Sequence, residues 1–230
     1  MPGVRREEES SQPITHQDFT EGTRRALNVV VAAVGLLIAA PLMLGIAILV
    51  RLTSPGPILY RQVRVGVDRR SPLTAGGNHR RSIDYGGKPF TIYKFRTMTY
   101  TNRNAAQTWA TANDSRVTRL GRILRQFRLD ELPQLINVLN GDMNIVGPRP
   151  EQPNIFARLR DRIPGYCDRQ RVRPGITGWA QINHHYDRSE EDVAVKVAFD
   201  LEYIARQSFT EDLKIMLRTG PVMVFRKGAW

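Results

Sequence analysis

A single cysteine, Cys167, stands in 230 residues, which excludes an intrachain disulfide and any thiolate metal cluster and fits a reducing compartment. Negative charge is scarce as well: 34 Lys and Arg face 22 Asp and Glu, a formal net charge of +12. That bias points to a polyanionic partner (nucleic acid, anionic lipid or a phosphorylated substrate) or simply to a solvated basic face. Internal repeats are lacking, as is any helix-turn-helix, zinc or RNA-binding motif, so nucleic acid is not an expected partner. The rest reads as globular, 41% apolar and 24% charged, with length for one domain plus an appendage.

Residues 1–20 (MPGVRREEESSQPITHQDFT) are polar and without apolar period, and are expected to form a mobile tail. Residues 26–50 run for 25 positions without a charge, enough at about 1.5 Å per residue to cross a bilayer as one helix. The run starts too deep for a signal peptide and has no suitably placed cleavage site. Two features stand against a plain span. Pro41 falls inside it, where proline breaks or kinks a helix. Arginines also flank both ends, Arg24 and Arg25 before and Arg51, Arg61 and Arg64 after, whereas a spanning helix keeps its arginines on the cytoplasmic side. On pattern alone two readings stay open: a kinked span, or a helix–break–helix hairpin over residues 21–52 that enters and leaves by one face.

Residues 53–230 read as a soluble unit. A β-like run at 58–65 precedes a Gly-, Arg- and Ser-rich stretch, 67–89, expected to be a long loop. FTIYKFRTM, 90–98, alternates like a strand with Lys94 and Arg96 on one side and Phe95 on the other. Helices are predicted over 113–129, 132–139, 155–161 and 190–206. The first has Leu120, Ile123, Leu124 and Phe127 as its stripe, and the last has Val193, Val197, Leu201 and Ile204. Asn140-Gly141 ends the second.

Within RQFRLDELPQLINVL, 125–139, two adjacent acids meet a run of arginines. One reading is local: Asp130 caps the next helix, Pro133 sits in its first turn, and Glu131 favours the dipole. The other is chemical. Helix N-termini attract anions, and arginines recur at 116, 119, 122, 125 and 128. Steps of three residues rotate by about 300° on a helix, so these five cannot share a face. A carboxylate beside arginines is expected to stay ionised, as a nucleophile or metal ligand requires. Adjacent acids can divide labour, one attacking and one holding Mg²⁺.

FRLDELPQLINVLNGDMNIVGPRPE, with KFRTM upstream and VRPGITGWAQIN and DLKIM downstream, resembles the bacterial sugar transferases called monotopic phosphoglycosyl transferases, from about Arg24 to Thr219. The resemblance implies an α/β fold, a small and mostly helical catalytic domain at the membrane surface. It would be carried by a re-entrant membrane helix broken at Pro41, on the cytoplasmic face of the bacterial inner membrane. It implies transfer of a phosphosugar from a nucleoside diphosphate sugar, usually a UDP-sugar, to polyprenyl (undecaprenyl) phosphate, with release of UMP. Such a step opens a surface glycan pathway, exopolysaccharide biosynthesis among them. Asp130 is implied to be the nucleophile that forms an aspartyl-phosphosugar, and Glu131 the holder of Mg²⁺ on the diphosphate.

Beside that picture, Arg125 and Arg149 are candidates to grip phosphate oxygens through their guanidinium forks, set against plain ion pairs. Lys94, Arg96 and Arg173 are further phosphate candidates, and Gln181 a candidate for nucleotide or lipid contact. Pro174, Gly175 and Gly178 are expected to shape a turn, and Trp179 to pack or lie at the interface. Asp200 and Asp212 are expected to satisfy buried arginines, and His184-His185 to be surface residues rather than a metal site. The chain departs from the family pattern in its long 67–89 loop, in Ala40 before Pro41 where some members have serine, and in HHYD after QIN. None of these touches the acid pair. The rival class is an inactive membrane-anchored scaffold of envelope assembly, for which both acids would be dispensable. Monomer and homodimer both stay open.

Overall fold

The apolar run folds as one helix. In the computed structural model, which describes residues 16–68, 86–99, 114–184 and 189–224, α1 (His16–Thr53) continues through Pro41. The expected break over 21–52 is therefore corrected to an unbroken helix, and the expected tail of 1–20 gives up its last five residues to it. The physical reason lies in how α1 is held. Arg24, Asn28, Ala32, Ile46 and Val50 are buried on one stripe, so the domain grips the helix on both sides of the proline. The bond Pro41 cannot donate belongs to the opposite side, where Leu37 and Ile38 are 78% and 72% exposed. That outer stripe continues through Val30, Val34, Leu44, Ile48 and Leu52, all exposed.

After α1, β1 (Leu59–Val65) and β2 (Pro89–Phe95) pair antiparallel, with Leu59 opposite Phe95 and Val65 opposite Pro89. Tyr60, Gln62, Arg64, Ile92 and Lys94 thus share one face. The strand expected over 90–98 stops at Phe95, and Met98 makes an isolated bridge to Val117. Most of the 67–89 loop lies outside the described residues.

The helix expected over 113–129 is only α2 (Arg119–Gln126). Thr118 caps it by accepting from the Gly121 N–H, and Asp114 turns the preceding chain by binding Arg116. Local side-chain capping beats helical period there. A 3₁₀ turn, Leu129–Glu131, and α3 (Gln134–Asn140) follow, with Gly141 left-handed at the end as expected. β3 (Asn144–Val146) then precedes α4 (Pro153–Leu159) and a 3₁₀ stretch, Tyr166–Arg171. β4 (Gly175–Thr177) pairs parallel to β3 and lies in the segment expected to turn, and α5 (Trp179–Asn183) follows it. α6 (Glu190–Arg206) has its predicted bounds, capped by Ser189, with Val193 and Val197 buried. α7 (Phe209–Val224) closes the described chain.

The core has three apolar clusters, and α1 belongs to two of them. Ala32 packs with Phe90, Ile92, Val138 and Tyr203, while Ile46 and Val50 pack with Phe95 and Leu124. The third joins Val65, Phe156, Tyr166 and Val193. Asn137 of α3 stitches α3 to β2, accepting from the Tyr93 N–H and donating to the Thr91 carbonyl at 2.7 Å. The strand bearing Lys94 is thereby fixed against the turn bearing the acids.

Candidate active site

The acids sit where α2 ends and the chain reverses. Arg128 takes a left-handed conformation, φ 53°, the one positive φ at a non-glycine among the described residues, a strained choice for a side chain with Cβ. It turns the backbone so that Asp130 and Glu131 both become buried, 8% and 6% exposed. Asp130 does not cap the next helix: α3 begins after Pro133 with no side-chain cap. The local reading of Asp130 is thereby corrected, because Asp130 lies inside the 3₁₀ turn, with Glu131, Leu132 and Pro133 between it and the first helical residue.

The two carboxylates have different surroundings. Glu131 Oε1 accepts from Lys94 Nζ at 2.5 Å and from Arg149 Nη2 at 2.8 Å. Burial works against its charge, but Arg149 and Lys94 outweigh burial and hold the carboxyl well below the ordinary glutamate range. Asp130 accepts no hydrogen bond among the described residues. Burial first and Glu131 second push it up to about 6, against the pull of Lys94, Arg125 and Arg149. Asp130 is thus less readily ionised than its arginines alone would make it, since burial outweighs them.

Arg149 is aimed by its backbone. The carbonyls of Pro148, Arg149, Pro150 and Glu151 accept respectively from the Gly175 N–H, Arg169 Nη2, Arg64 Nη1 and the Val65 N–H, at 2.9–3.0 Å. A Cβ on Gly175 would lie 2.1 Å from the Gly147 nitrogen, so glycine is needed for the two chains to approach. Behind the loop Arg169 pairs with Asp200 at 2.7 Å, and Lys196 with Glu151 at 3.1 Å. Burial raises Glu151, yet Lys196, Arg169 and Arg64 together bring it to about 2.

Of the predicted site residues, Asp130, Glu131, Lys94, Arg125 and Arg149 come together. Arg125 donates to Thr97 Oγ1 at 2.9 Å and acts on Asp130 by its charge. Arg96 does not join them. It lies past the end of β2, buried, donating to the carbonyls of Val50, Ser54 and Pro55 and to Ser54 Oγ. Carbonyls left open at the end of α1 are as good a target for a guanidinium as phosphate. Arg173 also lies apart from the acids: it binds the Gly141 carbonyl and Glu21, beside Arg25 on the Val138 and Leu139 carbonyls. Gln181 donates to the Ile176 carbonyl, and its Oε1 is buried with no hydrogen-bond partner among the described residues.

Arg64 and Arg128 stood out in the sequence only as members of basic runs, not as individual site residues, yet both act electrostatically on Glu131. Pairing β1 against β2 would have found Arg64, which shares the Lys94 face. No sequence signal marks the left-handed Arg128. Asp200 and Asp212 do satisfy buried arginines, Arg169 and Arg24. Trp179 packs against the guanidiniums of Arg206 and Arg218 and donates to Glu202. His185 lies outside the described residues, and among these no group of three or more His, Cys, Asp or Glu forms a metal cage.

A family model described as bacterial sugar transferase matches residues 19–226. The chain is 43% identical over 198 residues to a UDP-glucose:undecaprenyl-phosphate glucose-1-phosphate transferase of Escherichia coli K12, covering 85% of this chain and 39% of that protein. It is 38% identical over 196 residues to a UDP-N-acetylgalactosamine-undecaprenyl-phosphate N-acetylgalactosaminephosphotransferase of Aeromonas hydrophila, 85% of this chain and 42% of the relative. A Caulobacter vibrioides protein with the same name as the first is 41% identical over 209 residues, 90% of this chain and 72% of its own length. The chain spans about two fifths of the first two relatives.

Proposed function

The chain belongs to the bacterial sugar transferase family, and on that premise we propose that it transfers a phosphosugar from a UDP-sugar to undecaprenyl phosphate at the cytoplasmic face of the inner membrane. The division between the acids carries this reading: Asp130 is buried and accepts no hydrogen bond among the described residues, while Glu131 is doubly engaged by cations. The Asp130 carboxylate attacks the phosphorus that bears the sugar. The bond from that phosphorus to the bridging oxygen breaks, and UMP leaves with the electron pair. An oxygen of the lipid phosphate then attacks the aspartyl-bound phosphorus, the acyl-phosphate bond breaks, and Asp130 returns as carboxylate. Arg149, Lys94 and Arg125 balance the charge gathered on the phosphoryl oxygens.

Glu131 fits a Mg²⁺ site of the kind that uses one or two carboxylates plus substrate phosphates rather than a protein cage. Its hydrogen bonds fall on Oε1, leaving Oε2 for such an ion. When bound, Mg²⁺ would neutralise the diphosphate. Lys94 and Arg149 then fix the orientation of Glu131.

For the anchor, both ends of α1 are fastened to the same body. Arg24 bonds to Asp212 at 2.9 Å near one end, and Arg96 holds the last carbonyls at the other. A helix so held keeps both ends on the domain's side and dips into one leaflet with its outer stripe. Exposed Ile123 and Phe127 with Arg119 and Arg122 on and beside α2 suit the headgroup region. The test is UMP release from a panel of UDP-sugars in detergent with undecaprenyl phosphate and Mg²⁺. One sugar is expected to respond, and Asp130→Asn to be silent; equal turnover by that variant refutes the mechanism, and silence of the wild type on every sugar favours the scaffold.

A further inference from the structure

The acid pair borders a second surface that the phosphate chemistry leaves unused. A cleft of about 120 Å³ opens between the 3₁₀ turn, α3, β4, α5 and α7. Leu132, Leu135, Ile176, Ile182 and Val222 line it with hydrocarbon, and Arg128 and Glu131 bring it to the edge of the dyad. Leu135 also touches the anchor: a Cβ on Gly35 of α1 would meet its Cδ1 at 3.4 Å. One leucine therefore adjoins both the apolar helix and the cleft.

Three properties restrict what the cleft accepts. It is well below the roughly 300–1,000 Å³ that encloses a whole small ligand, so it takes a segment of a molecule whose remainder lies elsewhere. Its lining is mainly hydrocarbon, so that segment is apolar. It also ends beside Arg128 and Glu131, next in sequence to Asp130, so the segment is joined to an anionic head. The nucleotide donor has no apolar segment and matches the cationic side instead, where Lys94, Arg149 and Arg64 gather. We propose that the cleft holds the isoprene units next to the phosphate of a prenyl phosphate acceptor, with Arg128 facing that phosphate. This rests on the transferase reading and adds to it a separate place for the second substrate.

The half-reactions separate the two ideas. Ile182→Trp and Val222→Trp fill the cleft from different elements without touching the acids. Exchange of labelled UMP into UDP-sugar, which needs no lipid, is expected to stay within about twofold of wild type. Transfer to undecaprenyl phosphate is expected to fall about tenfold or more. A farnesyl phosphate carrying a benzophenone near its head is expected to label α3, α5 or α7 of the wild type and to lose that label in both variants. Equal loss of both half-reactions, no loss of either, or wild-type labelling confined to other elements overturns the cleft. Absence of UMP exchange in the unmodified protein overturns the transferase reading, and the cleft with it.

Discussion

Asp130 and Glu131 are joined by one peptide bond and shift in opposite directions, because burial dominates at Asp130 while two cations bind Glu131 directly and, among the described residues, none binds Asp130. A nucleophilic Asp130 must be ionised, so UMP exchange should rise as pH passes through about 6 and level off above it. Lys94 draws that ionisation downwards, so Lys94→Met should move the rising limb to higher pH, as a pH–rate profile of the exchange would record. Asp130→Asn, which removes no cap, should keep the melting temperature while exchange falls by roughly 10³-fold or more. Arg149→Lys loses the fork but keeps the charge, and a fall in kcat/KM of about tenfold is expected. How much of this site was legible follows from residue chemistry. Acids beside a GPRP loop and a lysine on a strand could be brought together from sequence. Arg96 and Arg173 could not be sorted, since a guanidinium suits a helix carbonyl as well as a phosphate.

At the scale of elements, legibility followed local signals. A regular apolar stripe from Val193 to Ile204 marked α6, and Gly141 marked the end of α3. α2 came out far shorter than its period suggested because Thr118 and Asp114 bind nearby backbone and side chains instead. Pro41 misled in the other direction, since tertiary contacts on both sides override a local breaker. Fastening of α1 should therefore be measurable. Asp212→Asn weakens a buried pair whose loss of a partner costs about 3–5 kcal/mol, and should lower Tm in detergent. Arg96→Met leaves several carbonyls of the α1 end unbound, at about 2–3 kcal/mol. Neither should move the pH limb of Asp130; a shifted limb would show that the anchor tunes that carboxyl.

For the whole molecule, the net charge of +12 and the apolar outer stripe of α1 act together. Binding to vesicles should strengthen with the anionic lipid fraction and weaken with salt, but not vanish at high salt, because the stripe contributes independently of charge. Co-sedimentation across a salt series would show it, and complete release at high salt would contradict the stripe. The same helix is part of the core rather than a tether. Cutting it away removes Ala32, Ile46 and Val50 from two clusters, and the remainder is expected to aggregate.

The bond between Arg24 and Asp212 spans 188 positions of sequence. Arg24 of α1 therefore leaves the ribosome 188 residues before its partner on α7. At about 5–20 residues per second the helix waits about 10–40 s for its arginine to be matched. During that interval the bilayer or a chaperone has to shelter it, so the anchor is a membrane element in time before it becomes a packed element of the fold.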